Sequence, residues 1–202
     1  MSAEDDTPRR GAAVRRRAAA VARGVWVGLL VLGLGMTVTG AVLPAGDDAA
    51  RSYVAPAPAQ PVRLKIPSQG VTAPVLAIGM SPGRVLQPPA DEQEVGWWDA
   101  SARAGAARGQ TVFTGHTVHT GGGALNRIPT LEKRDRVLVV TRKGTVRYRV
   151  TGVQVISRAE LAERAEALFG QDHGRGRLVL ASCTDWDGTV FENNVVVLAR
   201  RV

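Results

Sequence analysis

The sequence has a single cysteine, three histidines and few aromatic residues, and each scarcity excludes something. A lone cysteine cannot close an internal disulfide, so the fold is not a disulfide-stapled scaffold. His116, His119 and His173 are spread through loops, and no second histidine or cysteine cluster completes four ligands, so no metal or other cofactor is expected. The formal charge is +8, of which residues 1–23 hold +3 through six arginines against Glu4, Asp5 and Asp6. The +5 left for the body is a mild excess without aromatic-interleaved basic patches, which argues against nucleic acid as a partner.

What the chain does have is an apolar run, Leu178-Val-Leu-Ala181, that ends at Ser182 and the only cysteine, Cys183, before a polar turn through Thr184, Asp185, Asp187 and Gly188. A short unbroken apolar run bounded by turn residues reads as a strand buried on both faces. A thiol at its exit reaches both core and solvent, and position alone leaves nucleophile and core filler equally open. Near the N-terminus, Val25 to Leu43 is uncharged and long enough to cross a bilayer as a helix. Arginines before it and Asp47 and Asp48 after it place the N-terminus in the cytoplasm and the remainder outside. Small residues around Ala41 and Ala45 also permit a cleavable signal peptide. The expected organisation is a basic cytoplasmic tail (1–23), a transmembrane anchor (24–44), a Pro/Ala-rich stalk (45–61) and a folded domain (62–202). Outside the cytoplasm conditions are oxidising, and a cysteine without a disulfide partner there favours a reactive thiol.

Period-two alternation and β-rich runs predict strands over 62–66, 71–78, 95–98, 111–115, 136–141, 145–151, 178–183 and 194–199. Ser157-Arg-Ala-Glu160 is a capping box, and Leu161, Ala165 and Leu168 recur at helical spacing before Gly170, which predicts one helix of about three turns. A further short segment near Ala124–Leu131 turns helical, and Gly121–Gly123 make a loop with little intrinsic structure. The composition of elements is mostly β, a barrel or a sandwich. Trp97 and Trp98 read as packing residues. His116, at the end of a strand inside Thr-Gly-His-Thr, is the better-placed imidazole to serve a thiolate. His119 is its rival, and His173 reads as a solvated loop residue.

Several motifs in order, Arg63-Leu-Lys-Ile-Pro67, Val95-Gly-Trp-Trp98, Phe113-Thr-Gly-His-Thr117, Asp135-Arg-Val137, Leu178-Val-Leu-Ala-Ser-Cys183 and Asn194-Val-Val-Val-Leu-Ala199, resemble the sortases of actinobacteria, nearest to class F and then class E. The resemblance spans nearly all of 62–202. It implies a closed eight-stranded barrel with one or two short helices, standing outside the membrane behind the N-terminal transmembrane helix. It implies a catalytic pair, His116 and Cys183. Such enzymes cut an LPxTG-type sorting signal between Thr and Gly, hold the product as a cysteine thioester and pass it to an amine, usually of a cell-wall precursor. Some bind calcium near the helix-containing loop, where Glu160, Glu163, Glu166 and Asp172 read first as a solvated helix face.

One departure stands out. Where sortases carry an arginine on the last strand, facing the cysteine, the aligned residue is Asn194. Arg200 shares its strand face but sits roughly 20 Å along. Asn194 and Thr184 are therefore the expected substrate or oxyanion donors, with Arg103, Arg108 or Arg127 as loop-borne substitutes, and Ser182 takes a place where many sortases have threonine. The departure keeps open a second reading, a catalytically weak barrel that binds sorting peptides or scaffolds wall assembly. An L,D-transpeptidase is disfavoured, because no histidine precedes Cys183 in a Ser-His-Gly-Cys-like run.

Overall fold

The structure, a computed structural model, describes residues 53–202 apart from Arg84 and His173. The predicted tail, the anchor and the first part of the stalk lie outside the described residues. Among the described residues no helix is long and apolar enough to cross a membrane.

Eight strands form the molecule: β1 (Pro61–Ile66), β2 (Val71–Ile78), β3 (Val95–Trp98), β4 (Gln110–Gly115), β5 (Arg136–Thr141), β6 (Gly144–Ser157), β7 (Arg177–Trp186) and β8 (Phe191–Arg201). They close into a barrel in the order β1-β2-β3-β4-β7-β8-β6-β5, so no sheet edge is left open. Two neighbour pairs, β2 with β3 and β4 with β7, are parallel, and the rest are antiparallel. Alternation sorts the side chains. Leu64, Val95, Phe113, Val139, Leu180 and Val197 fill the interior, each fully buried and each contributing about 1.5–3 kcal/mol by leaving water. The opposite faces of β4, β7 and β8 are apolar too: Val112, Val179 and Val196 form a second cluster outside the barrel with Ile156 and Leu168. That doubly apolar character explains the unbroken run before Cys183.

The second cluster is covered by the β6–β7 connection. Here the predicted single helix is two short ones, α1 (Arg158–Glu163) and α2 (Ala165–Phe169). Ser157 caps α1 as expected, its Oγ accepting the Glu160 N–H at 3.1 Å. The break falls at Arg164, whose guanidinium donates to Glu160 Oε1 at 2.7 Å and to Gln154 Oε1 on β6 at 2.6 Å. Anchoring to the sheet fixes the chain there in a non-helical conformation. The β4–β5 connection plugs the barrel with buried Leu125 and Ile128, and its helical content is one 3-10 turn, Ile128–Thr130. β6 runs six residues past the predicted end at Thr151, because its second half pairs with β8 rather than β5.

Residues 53–60, the end of the predicted stalk, lie against the barrel. Tyr53 Oη donates to Thr145 O at 3.1 Å and accepts the Arg147 N–H at 2.9 Å, with the Arg147 guanidinium 4.2 Å above the ring. Deeper in, Tyr148 Oη accepts the Gly105 N–H at 2.7 Å. Burial pushes the Tyr148 phenol above its ordinary value, opposed by that same hydrogen bond. Tyr148→Phe should cost about 1–3 kcal/mol in urea denaturation by orphaning the Gly105 N–H. A raised phenol means stability fully present below the unfolded phenol's pKa near ~10 and lost as pH climbs through the higher folded value, and the variant should lack that alkaline loss.

Candidate functional site

The parallel pairing of β4 with β7 puts Thr114 beside Ala181. Two residues further along each chain come His116, just past the end of β4, and Cys183, so strand polarity delivers the imidazole and the thiol to the same end of the barrel. On the other side of β7, Cys183 lies directly opposite Asn194 of β8, and Asn194 opposite Ile156 of β6. Ile156, Asn194 and Cys183 are thus one cross-strand row on the outer face of the barrel, and His116 follows the end of β4 on the other side of Cys183. The second apolar cluster continues from this row beneath α2. Cys183 is exposed and free.

Hydroxyls lock the row in place. Thr117 Oγ1 donates to Cys183 O at 2.6 Å, Ser182 Oγ lies 2.7 Å from both Gly115 O and Thr117 Oγ1, and Ser182 is nearly inaccessible. Two hydroxyl protons serve three approaches, so Ser182 donates either to the Gly115 carbonyl or to Thr117. Both choices tie the chain leaving β4 to the backbone on either side of the thiol. His116 is oriented from elsewhere: its Nε2 is 2.9 Å from Pro89 O in the β2–β3 connection. A carbonyl only accepts, so Nε2 carries a proton and Nδ1 is the nitrogen left to exchange one.

The loop after His116 is firmer than its glycines suggest. Asn126 brackets Val118, accepting its N–H at 2.9 Å and donating to its carbonyl at 2.7 Å. Gly123 packs so close to His116 O that an added Cβ would sit 2.7 Å from it. His119 stacks on Trp186, ring centroids 4.6 Å apart, and Trp186 meets Phe191 at 5.0 Å. This aromatic cluster joins the β4–β5 loop to the β7–β8 hairpin. The hairpin is itself held by Asp187, whose Oδ1 accepts the N–H groups of Val190 and Thr189; those bonds keep its carboxyl below the usual range.

Of the residues singled out from sequence, His116, Cys183 and Asn194 come together. Alternation turns Thr184 to the face opposite Cys183, and its Oγ1 is 3.5 Å from Asp185 Oδ1. Arg103 and Arg108 lie in the β3–β4 connection, at the start of β4 and so at the wrong end. Arg127 is at the right end, but its carbonyl accepts from Gln69 in the β1–β2 connection, across the barrel mouth from β7. His119 and Asp185 are occupied, by Trp186 and by Asn193, whose Nδ2 donates to Asp185 Oδ2 at 2.9 Å. No group of three His, Cys, Asp or Glu side chains able to hold a metal occurs among the described residues. Sequence reasoning missed the Pro89 carbonyl and Thr117. It also missed Arg158, two residues beyond Ile156, whose Nη2 donates to Phe191 O at 2.8 Å at the edge of the row.

A sortase-domain family profile matches residues 64–202. The chain belongs to the sortase family. Solved structures agree in fold. Sortase A from Corynebacterium diphtheriae superposes with a TM-score of 0.56 at 19% identity, over 72% of this chain and 61% of that one. Sortase C-1 from Actinomyces oris gives 0.54 at 23%, over 71% and 75%. Group B Streptococcus pilus island 1 sortase C2 gives 0.54 at 20%, over 69% and 72%. At these identities the likeness is one of fold, and it extends to both class A and class C. No curated protein sequence matches significantly. Sortases are cysteine transpeptidases that act on sorting-signal proteins and cell-wall precursors, and Cys183 is the one cysteine this sortase-family chain has.

The hydroxyl lock makes Ser182 a sensitive position. Ser182→Ala should destabilise the chain by about 1–3 kcal/mol, the cost of leaving its acceptor, the Gly115 carbonyl or Thr117 Oγ1, without a donor, while Ser182→Thr keeps the hydroxyl and most of the stability. Thermal melts of the two variants beside the parent check this.

Proposed function

We propose that this chain is a sortase-type cysteine transpeptidase, with Cys183 as nucleophile and His116 as general acid and base, cleaving LPxTG-type signals. The observation that supports it is the parallel β4–β7 pairing, which brings the exits of both strands, with His116 and Cys183, to one end of the barrel. In this reading the Cys183 thiolate attacks the Thr carbonyl carbon. As the Thr–Gly C–N bond breaks, His116 gives a proton to the glycine nitrogen, and the acyl group remains as a thioester. An incoming amine, from a cell-wall precursor, attacks the thioester, loses its proton to His116 and releases the thiolate. Pro89 O holds Nε2 throughout, so the proton moves at Nδ1.

Asn194, opposite Cys183, is the donor this reading assigns to the substrate carbonyl or its oxyanion. We assign the chain to an actinobacterial, class F-like group, tethered to the cell membrane by residues 24–44 with its N-terminus in the cytoplasm and its barrel outside. The neutral amide in place of a guanidinium favours one alternative, a catalytically weak barrel that binds sorting peptides.

Mass spectrometry of the full chain in nonionic detergent with Leu-Pro-x-Thr-Gly and Leu-Ala-x-Thr-Gly peptides, with and without an amine, separates the two. A transpeptidase gives an acyl adduct on Cys183 and an amine-linked product, both absent from Cys183→Ala. Intact peptide with measurable binding across a broad motif panel leaves the binding barrel. In the active case, His116→Gln should lower turnover by about 10²–10⁴-fold. Asn194→Arg should raise kcat, since a charged donor stabilises an oxyanion more than a neutral amide does. If Asn194→Arg leaves kcat unchanged while Arg158→Ala collapses it, the donor role passes from Asn194 to Arg158.

A further inference from the structure

The outer surface of the β5–β6 hairpin carries charge that the fold does not use. Arg136 is directly opposite Arg149, and Arg149 is directly opposite Arg200 on β8. Like charges in opposed positions work against sheet pairing. Where the same row reaches β7, Arg177 escapes the conflict: its Nη2 donates to Ala167 O and its Nε to Gln110 Oε1, both at 2.5 Å. Arg136 and Arg149 have no comparable outlet. Arg149 makes one long bond, 3.3 Å, to Arg134 O.

Arg134, Arg136 and Arg149 converge with Pro67, Ser68 and Asp135 on an open cavity of about 530 Å³. Among the described residues the one ion pair is Glu160–Arg164, so no carboxylate lies within 4.0 Å of these three guanidiniums. Asp135, the acid in the cavity wall, is turned to its own backbone, Oδ2 accepting the Glu132 N–H at 3.0 Å. Arg134 is held at φ 80°, a left-handed conformation that costs an L-residue energy. Backbone bonds maintain it: Arg134 N–H donates to Val150 O at 2.8 Å, and Val150 N–H to Asp135 O at 2.9 Å. Opposed like charge, absent counterions and a left-handed arginine each lower stability, and all three meet at one concavity. No aromatic side chain lines it, so it offers a nucleobase nothing to stack on.

We propose that the cavity bounded by Arg134, Arg136 and Arg149 is a binding site for a phosphate-type anion, a phosphomonoester or diphosphate group. Guanidinium forks match the paired oxygens of phosphate, and a ligand carrying two or more negative charges offsets the repulsion among the three guanidiniums. The site, on β6 and β5, is two to three strands round the barrel from β7 and is independent of Cys183 chemistry.

The test is calorimetric titration of the full chain, in nonionic detergent at fixed ionic strength, with inorganic pyrophosphate against sulfate and chloride. Saturable pyrophosphate binding should weaken at least tenfold in the Arg136→Gln/Arg149→Gln double variant. It should change less than twofold in Arg142→Gln/Lys143→Gln, on the neighbouring turn. The double variant should melt at or above the parent temperature, since it removes repulsion, so weaker binding cannot be ascribed to unfolding. Dibutyryl phosphatidic acid below its micelle concentration distinguishes the source: tighter binding than pyrophosphate assigns the site to a lipid-borne phosphate, weaker binding to a soluble one. Equal response to sulfate and pyrophosphate, equal loss on neutralising the turn, or a double variant that melts well below the parent overturns the proposal.

Discussion

The structure depends on one strand pairing, the parallel ladder between β4 and β7. Antiparallel neighbours can be joined by a tight turn, but parallel neighbours need a long crossover, and here that crossover contains β5, β6 and both short helices. The whole of residues 117–182 lies between His116 and Cys183, yet the ladder brings the two to the same end of the barrel. Because both strands leave the ladder at the same end, the two connections that follow, the β4–β5 loop and the β7–β8 hairpin, meet at the same place. The aromatic stack of His119 on Trp186 is the contact through which they meet.

The barrel supplies the rigidity that such a site requires. Its strands are apolar inside, and over β4, β7 and β8 apolar outside as well, so the cysteine strand is clamped from both faces. Few residues on this wall can move without disturbing one of two cores. Ser182 marks the boundary, with an inward side chain and its hydroxyl held between the Gly115 carbonyl and Thr117 Oγ1, one residue before the chain emerges. Stiffness next to exposure is the property that the proposed nucleophile needs.

Much of this was legible in the residues. All eight strands follow from alternation or from apolar runs, and Ser157 announces its helix by the capping box. What was not legible is long-range. The helix break at Arg164 arises from Gln154, which no local pattern ties to it. The second half of β6 reads poorly because its faces answer to a partner far along the chain. The glycines after His116 suggested looseness, whereas a single asparagine amide, spanning both polar groups of Val118, fixes that loop. The arginine row across β5, β6, β8 and β7 was hidden too: its members are scattered from 136 to 200, and only register reveals that they face each other.

The acceptor that orients His116 is a peptide carbonyl, and this sets how the site can vary. A carboxylate partner could be lost by one substitution or neutralised by acid; the carbonyl of Pro89 can be neither. It can only be displaced, by altering the length or path of the segment between β2 and β3. Sequence change can therefore retune the imidazole most directly through insertions and deletions in that segment. A comparison of related chains confined to side-chain identities would miss it.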